Sequence, residues 1–95
     1  MREITTLEFV DALNTPAMFC LKAPLKGVTE ILDNNRMALP VPVKAITHIK
    51  NFKNLRVILT TGNVLEFACV RLYKHRGFLL AYKTADKNCY VFKTI

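Results

Sequence analysis

The chain contains no serine, and its three cysteines, Cys20, Cys69 and Cys89, are widely separated and include no Cys-x-x-Cys pair. Disulfide frameworks use even cysteine sets and structural zinc sites use closely spaced ligand pairs, so neither organises this fold and a reducing compartment is expected. A serine nucleophile is excluded outright, and a cysteine nucleophile would need a base and an orienting third group beside it. Cys69 and Cys89 instead fall in apolar strand patterns, and Cys20 follows Met18-Phe19, the settings of small buried hydrophobes.

Acids are scarce in the second half, where Glu66 and Asp86 are the only two, so paired carboxylates for acid-base chemistry are hard to assemble there. Glu30 and Asp33 share one short turn. The three glycines, Gly27, Gly62 and Gly77, stand too far apart to form a phosphate-cradling loop. His48 and His75 are the only histidines and, with the scattered cysteines, give no local metal-ligand spacing. A protein that is not an enzyme, with no cofactor and no metal site, is the expectation.

No apolar run approaches the roughly 20 residues that cross a bilayer. The opening Met1-Arg2-Glu3-Ile4-Thr5-Thr6, with Glu8 and Asp11 soon after, lacks the apolar stretch of a secretory signal. The expectation is a cytoplasmic protein with no membrane partner.

What is present is enough apolar material for one core: 95 residues, 52% hydrophobic and 22% charged, read as a single domain over residues 1 to 95. Domains of this size have a thin stability margin, and the oligomeric state is left open. Charge is distributed unevenly. Residues 1 to 43 hold four Lys or Arg against five Asp or Glu, whereas residues 44 to 95 hold ten against two, a net +8 within an overall +7. Such asymmetry points to an anionic partner. The division falls at Pro40-Val41-Pro42, whose restricted backbone suits an edge strand or connector between subregions and not the middle of a sheet.

Thr5-Thr6-Leu7-Glu8 fits a capping box, in which the Thr hydroxyl accepts from the first turn and Glu8 reaches back to the cap amide. The helix it opens carries Leu7, Phe9, Val10, Ala12 and Leu13 as an apolar stripe and stops at Asn14-Thr15-Pro16. Two short strands follow, Ala17 to Leu21 and Val28 to Leu32, although the second run also fits one helical turn.

The second half is rich in β-branched and aromatic residues, and turn signals divide it into five strands. Val43 to Ile49 is the first. Leu55, Val57 and Leu59 alternate with Arg56, Ile58 and Thr60 up to a two-residue turn at Gly62-Asn63, and the return strand carries Leu65, Phe67 and Cys69. Beyond Cys69 the inward set switches parity to Val70 and Leu72, which predicts a bulge or bend. Phe78 to Lys83 and Cys89 to Thr94 make a second hairpin around Ala85-Asp86-Lys87-Asn88. The fold class is α+β: a short N-terminal helix packed on a bent antiparallel sheet of five or more strands, with closure as a small β-barrel left open.

Cations interleave with aromatics in Arg71-Leu72-Tyr73-Lys74-His75-Arg76-Gly77-Phe78 and again at Tyr82-Lys83. This pattern can neutralise phosphates while rings stack on bases. Its plainer reading is core aromatics with solubilising charges at a strand turn. Lys50, Lys53 and Arg56 form a second basic group; if consecutive strands pair, its loop comes near the Lys74-His75-Arg76 turn and one continuous patch results. Lys87 adds a cation in the last turn. His75, between Lys74 and Arg76, suits contact with a phosphate or base better than a metal.

Arg76-Gly77-Phe78 resembles the opening of the strand motif of RNA-recognition-motif domains, but Leu79, Leu80 and Lys83 stand where that motif has a small residue and two aromatics. No second long helix is available for that family's βαββαβ order, and the likeness covers three residues only.

Two functions fit. The first is a non-catalytic nucleic-acid-binding or regulatory module, RNA or a single strand favoured, because aromatics accompany the charge and no recognition helix lies in the basic half. Lys50, Lys53, Arg56, Arg71, Lys74, His75, Arg76, Lys83 and Lys87 would meet phosphates, with Tyr73, Phe78 and Tyr82 stacking. The second is a small protein-interaction or inhibitor module docking an acidic partner surface, a habit of accessory proteins from viruses and mobile elements.

Overall fold

Residues 1–34, 40–49, 54–68 and 70–95 are described by a computed structural model of the chain, which begins with a two-residue strand, β1 (Arg2–Glu3), leading into helix α1 (Thr6–Asn14). The Thr5 hydroxyl accepts the Glu8 N–H at 3.1 Å, satisfying a first-turn amide. The Glu8 carboxylate turns to Arg2 at 3.3 Å instead of to the cap amide, so only half of the expected box is made. At the far end the Thr15 hydroxyl donates to the Ala12 carbonyl at 2.6 Å, and Pro16 blocks any further turn. The helix buries Phe9, Val10 and Leu13 and leaves Leu7 exposed.

Strand β2 (Ala17–Pro24) runs directly into a second helix, α2 (Leu25–Asp33). The strand expected at Val28 to Leu32 is therefore helical. Leu25, Val28 and Leu32 recur at helical spacing with Lys26, Thr29 and Glu30 between them, a period visible only when the window opens at Leu25. Pro24 sits at the cap position with φ −57°, already suited to entering a helix. Asn34 closes α2 by donating both its backbone and side-chain N–H groups to the Glu30 carbonyl, at 3.1 and 2.9 Å.

Six strands follow: β3 (Val41–Ile49), β4 (Asn54–Leu59), β5 (Val64–Ala68), β6 (Arg71–His75), β7 (Phe78–Lys83) and β8 (Asn88–Thr94). With β1 and β2 they form one eight-stranded antiparallel sheet in the order β1-β6-β7-β8-β2-β3-β4-β5. The sheet does not close, so it is not a barrel. Four residues, Thr60 to Asn63, separate β4 from β5, with Gly62 at φ +93°, rather than the two-residue turn expected at Gly62-Asn63. What reads in sequence as one bulged strand through Cys69 is two strands, β5 and β6, at opposite sides of the sheet. Cys69 itself lies outside the described residues. The parity switch accompanies this change from one strand to another and not a bulge or bend within a single strand.

Two register slips bend the sheet. One separates Phe19 from Leu21 in β2, and the other separates Val43 from Ala45 in β3. Pro42 stands at this bend. It pairs with Met18 in an interior strand, contrary to the edge strand or connector expected for it, because β3 there leaves β2 for β4. The β3-β4-β5 flap consequently folds over the rest, and α1 plugs the space between.

The core has two layers on opposite faces of β7 and β8. In the first, Phe9, Val57, Phe67, Tyr90 and Phe92 meet. The Phe9 and Phe92 rings lie edge to face at 5.8 Å, Phe19 approaches Phe92 at 5.4 Å, and Phe67 meets Tyr90 edge-on at 5.0 Å. In the second, α2 lays Val28 and Leu32 on Phe78, Leu80, Cys89 and Val91. Covered on both faces, β7 reads as the unbroken apolar run Phe78-Leu79-Leu80-Ala81 rather than as an alternation. No helix among the described residues is long and apolar enough to cross a membrane.

Phe67 is 1% exposed and joins the flap to β8, so Phe67→Ala should cost about 3–5 kcal/mol in urea unfolding. Leu7→Ala, at a site 56% exposed, should stay within about 0.5 kcal/mol of the parent.

Candidate nucleic-acid interface

Strand alternation divides the basic-aromatic stretch between two faces. In the β6–β7 hairpin Arg71 stands opposite Tyr82, Tyr73 opposite Leu80, and His75 opposite Phe78. Phe78 and Leu80 belong to the α2-side core and Tyr73 and Tyr82 pack against it, so Arg71, Tyr73, His75 and Tyr82 share that face. Leu72 and Ala81 belong to the other core, which puts Lys74 and Lys83 on the opposite face. One element thus presents two separate surfaces.

On the α2 side, Arg71 is exposed and Tyr73 and Tyr82 are half-buried. Direct cross-strand partners have Cβ atoms about 5 Å apart and diagonal ones about 7–8 Å, so Tyr82 neighbours both Arg71 and Tyr73. Phe78 does not join them. It is 5% exposed, with the Lys93 ammonium 5.2 Å from its ring centre, so the ring is closed in between α2 and a lysine stem and offers no stacking platform.

The other end of the hairpin is tied to α2. Arg76 and Gly77 both take positive φ, +50° and +83°, as a two-residue hairpin turn requires. The turn brings His75 Nε2 to 3.0 Å and Arg76 Nε to 3.3 Å from one oxygen of Asp33, the last residue of α2. The hydrogen bond from His75, with the Arg76 charge adding to it, holds the Asp33 carboxyl below its ordinary value. An acid at a helix C-terminus is poorly placed with respect to the helix dipole, and these two side chains offset that. Sequence reading had no route to this cluster, since His75 and Asp33 are 42 positions apart.

The remaining candidates disperse. Arg56 lies on β4 and pairs with Glu66 at 3.0 Å. Lys83 is half-buried beside that pair, on the rim of an open pocket of about 360 Å³. Lys74 stands opposite Arg2 on β1, and Lys87 is exposed in the β7–β8 turn at φ +60°. Lys50 and Lys53 lie outside the described residues. The consecutive pairing on which the expected patch depended is broken between β5 and β6, which are not neighbours in the sheet order, and the loop that would carry Lys50 and Lys53 lies outside the described residues.

Two further polar contacts were not foreseen. The Tyr90 hydroxyl donates to Asp86 at 2.6 Å; burial first, and this bond second, push the phenol up to about 12, while the same bond holds Asp86 down. Lys22 lies 5.8 Å from the Tyr90 ring centre. Burial raises both Cys20 and Cys89, the latter to about 11, as expected of inert thiols. No cluster of three His, Cys, Asp or Glu side chains able to hold a metal is found among the described residues.

No protein-family model matches the chain, and no match is found among curated proteins or among solved structures.

A carboxyl held low in the folded state stabilises it above the ordinary carboxylate range, and that contribution fades as pH falls through the folded value. Wild type should therefore exceed Asp33→Asn in urea midpoint at pH 7, and the gap should close as the pH is lowered below the ordinary Asp value of 3.8. A gap that does not change with pH would leave the Asp33 cluster without a stabilising role.

Proposed function

We propose that this protein is a non-catalytic nucleic-acid-binding module that holds a single strand, RNA in preference, against the α2-side face of the β6–β7 hairpin. The observation that carries the reading is the juxtaposition of exposed Arg71 with half-buried Tyr82 and Tyr73. Packing from below fixes the two rings, so little rotamer freedom is lost when a base stacks on them. Arg71, exposed beside Tyr82, supplies the phosphate contact, and the net +7 steers polyanions toward the molecule.

The helices support a single strand over a duplex. Major-groove reading needs a basic helix face. Helix α1 carries Glu8 and Asp11 and no cation, and α2 carries Lys26 against Glu30 and Asp33. Neither suits a groove lined by phosphates. Half-exposed rings beside a guanidinium serve unpaired bases instead, since sequence-specific RNA recognition mostly stacks unpaired bases on aromatic side chains.

Anisotropy with a labelled single-stranded RNA decamer at low salt tests this. Tyr73→Leu and Tyr82→Leu keep apolar packing but remove the ring, and each should weaken binding by about 5- to 100-fold. Arg71→Gln should flatten the logarithmic salt slope by about 0.7, whereas Arg56→Gln, at a residue already paired with Glu66, should change little. Equal affinity for duplex and single strand, or no loss in either tyrosine variant, would end the proposal. Competition by an acidic protein segment at unchanged RNA affinity would move the basic half to the interaction-module reading.

A further inference from the structure

The face that carries Arg71, Tyr73 and Tyr82 is built in rows across the sheet. One row runs Glu3, Tyr73, Leu80 and Val91 on β1, β6, β7 and β8, and the next runs Arg71, Tyr82 and Cys89. Residues opposite one another in antiparallel pairs put their side chains on the same face, with Cβ atoms about 4.5–5.5 Å apart. The inner members Leu80, Val91 and Cys89 are fully buried with α2. Each ring is therefore closed on its inner side and has one charged neighbour toward the β1 edge of the sheet: Arg71 for Tyr82, and Glu3 for Tyr73.

The backbone of Glu3 is fixed by the residues on either side of it. The Ile4 N–H donates to the Leu72 carbonyl at 2.9 Å, and the Ile4 side chain is buried in the α1-side core. Arg2 stands opposite Lys74 on the other face and is tied to Glu8 at 3.3 Å. Glu3 itself is exposed, and no cation lies within 4.0 Å of it among the described residues. His75, the next residue along β6 on this face, is already bonded to Asp33.

A carboxylate beside a stacking ring repels phosphate, so the backbone of a bound strand passes on the Arg71 side. Its two oxygens only accept hydrogen bonds, and they suit a base edge that offers two adjacent donors. Among the four bases guanine has such a Watson–Crick edge, with its N1–H and N2 amino group side by side. Adenine and cytosine set an amino donor beside a ring-nitrogen acceptor, and uracil sets one N–H between two carbonyls. Each of these three would turn an acceptor toward the carboxylate.

We propose that Glu3 is a specificity-determining residue of this face: the base stacked on Tyr73 is guanine, which donates its N1–H and N2 amino hydrogen bonds to the Glu3 carboxylate, while Arg71 meets phosphate beside Tyr82. This preference rests on the single-strand reading of the face and adds a base identity to it.

Anisotropy at low salt, with the full chain and labelled uridine decamers carrying one central guanosine, inosine, adenosine or cytidine, tests the assignment. The guanosine RNA should bind about tenfold more tightly than the adenosine, cytidine or all-uridine RNAs. Inosine keeps the N1–H but lacks the 2-amino group, and should fall between them. Glu3→Gln, at an exposed position outside both cores, should bring the guanosine RNA down to the level of the others without weakening the all-uridine RNA. A merely structural role would weaken all of these RNAs alike. Tyrosine-dependent binding with no guanosine preference, equal binding of the inosine and guanosine RNAs, or a preference unchanged in Glu3→Gln would overturn the role of Glu3 and leave the single-strand reading standing. Failure of every RNA to bind would overturn both.

Discussion

Where the sheet folds back on itself, the rings of Phe9, Phe19, Phe67, Tyr90 and Phe92 come together, and this contact holds the flap of β3, β4 and β5 over the rest of the molecule. The rings come from α1, β2, β5 and β8, so elements far apart in sequence share one cluster. Edge-to-face and tilted pairs of this kind add about 0.5–1.5 kcal/mol each beyond the area they bury. The two register slips let the backbone bend, and the rings determine how far. Because the bend covers one face of β7 and β8, and α2 covers the other, the hairpin of β6 and β7 is anchored through its second strand, and its tyrosines sit on fixed ground.

Charge is then divided by the same architecture. Asp33 takes up His75 and Arg76, Glu66 takes up Arg56, and Lys93 lies over Phe78. These cations are largely committed to the fold. Arg71, Lys74, Lys83 and Lys87 have no carboxylate within 4.0 Å among the described residues, and they lie on different sides of β6, β7 and the last turn. Only Arg71 is combined with half-exposed aromatic rings. A compositional excess of positive charge thus resolves into one small aromatic-cationic surface and several separated cations.

Much of the local structure could be read from the sequence because its causes are local. Thr5, Glu8 and Pro16 place α1 within a few residues of its observed ends, and the Phe78 and Cys89 runs with four turn residues between them give the last hairpin. The α2 helix could not be read with the same certainty, since Val28 to Leu32 is too short to distinguish a helical from an extended period. The crossover between β5 and β6 was hidden for another reason: strand order is a property of the closed-up molecule, and a parity change at Cys69 looks the same whether a strand bulges or ends. At the site, the Arg71, Tyr73 and Tyr82 grouping was implicit in simple alternation. The loss of Phe78 to the core was not, because it depends on α2 and on Lys93, neither of which lies near Phe78 in sequence.

The central claim is that the α2-side face of β6 and β7 is where nucleic acid lies, and ultraviolet crosslinking with a 4-thiouridine-substituted single-stranded RNA followed by peptide mass spectrometry addresses it most directly. The account predicts that adducts concentrate on peptides carrying Tyr73 and Tyr82. Adducts confined to β4 and β5, or spread evenly over the molecule, would contradict it.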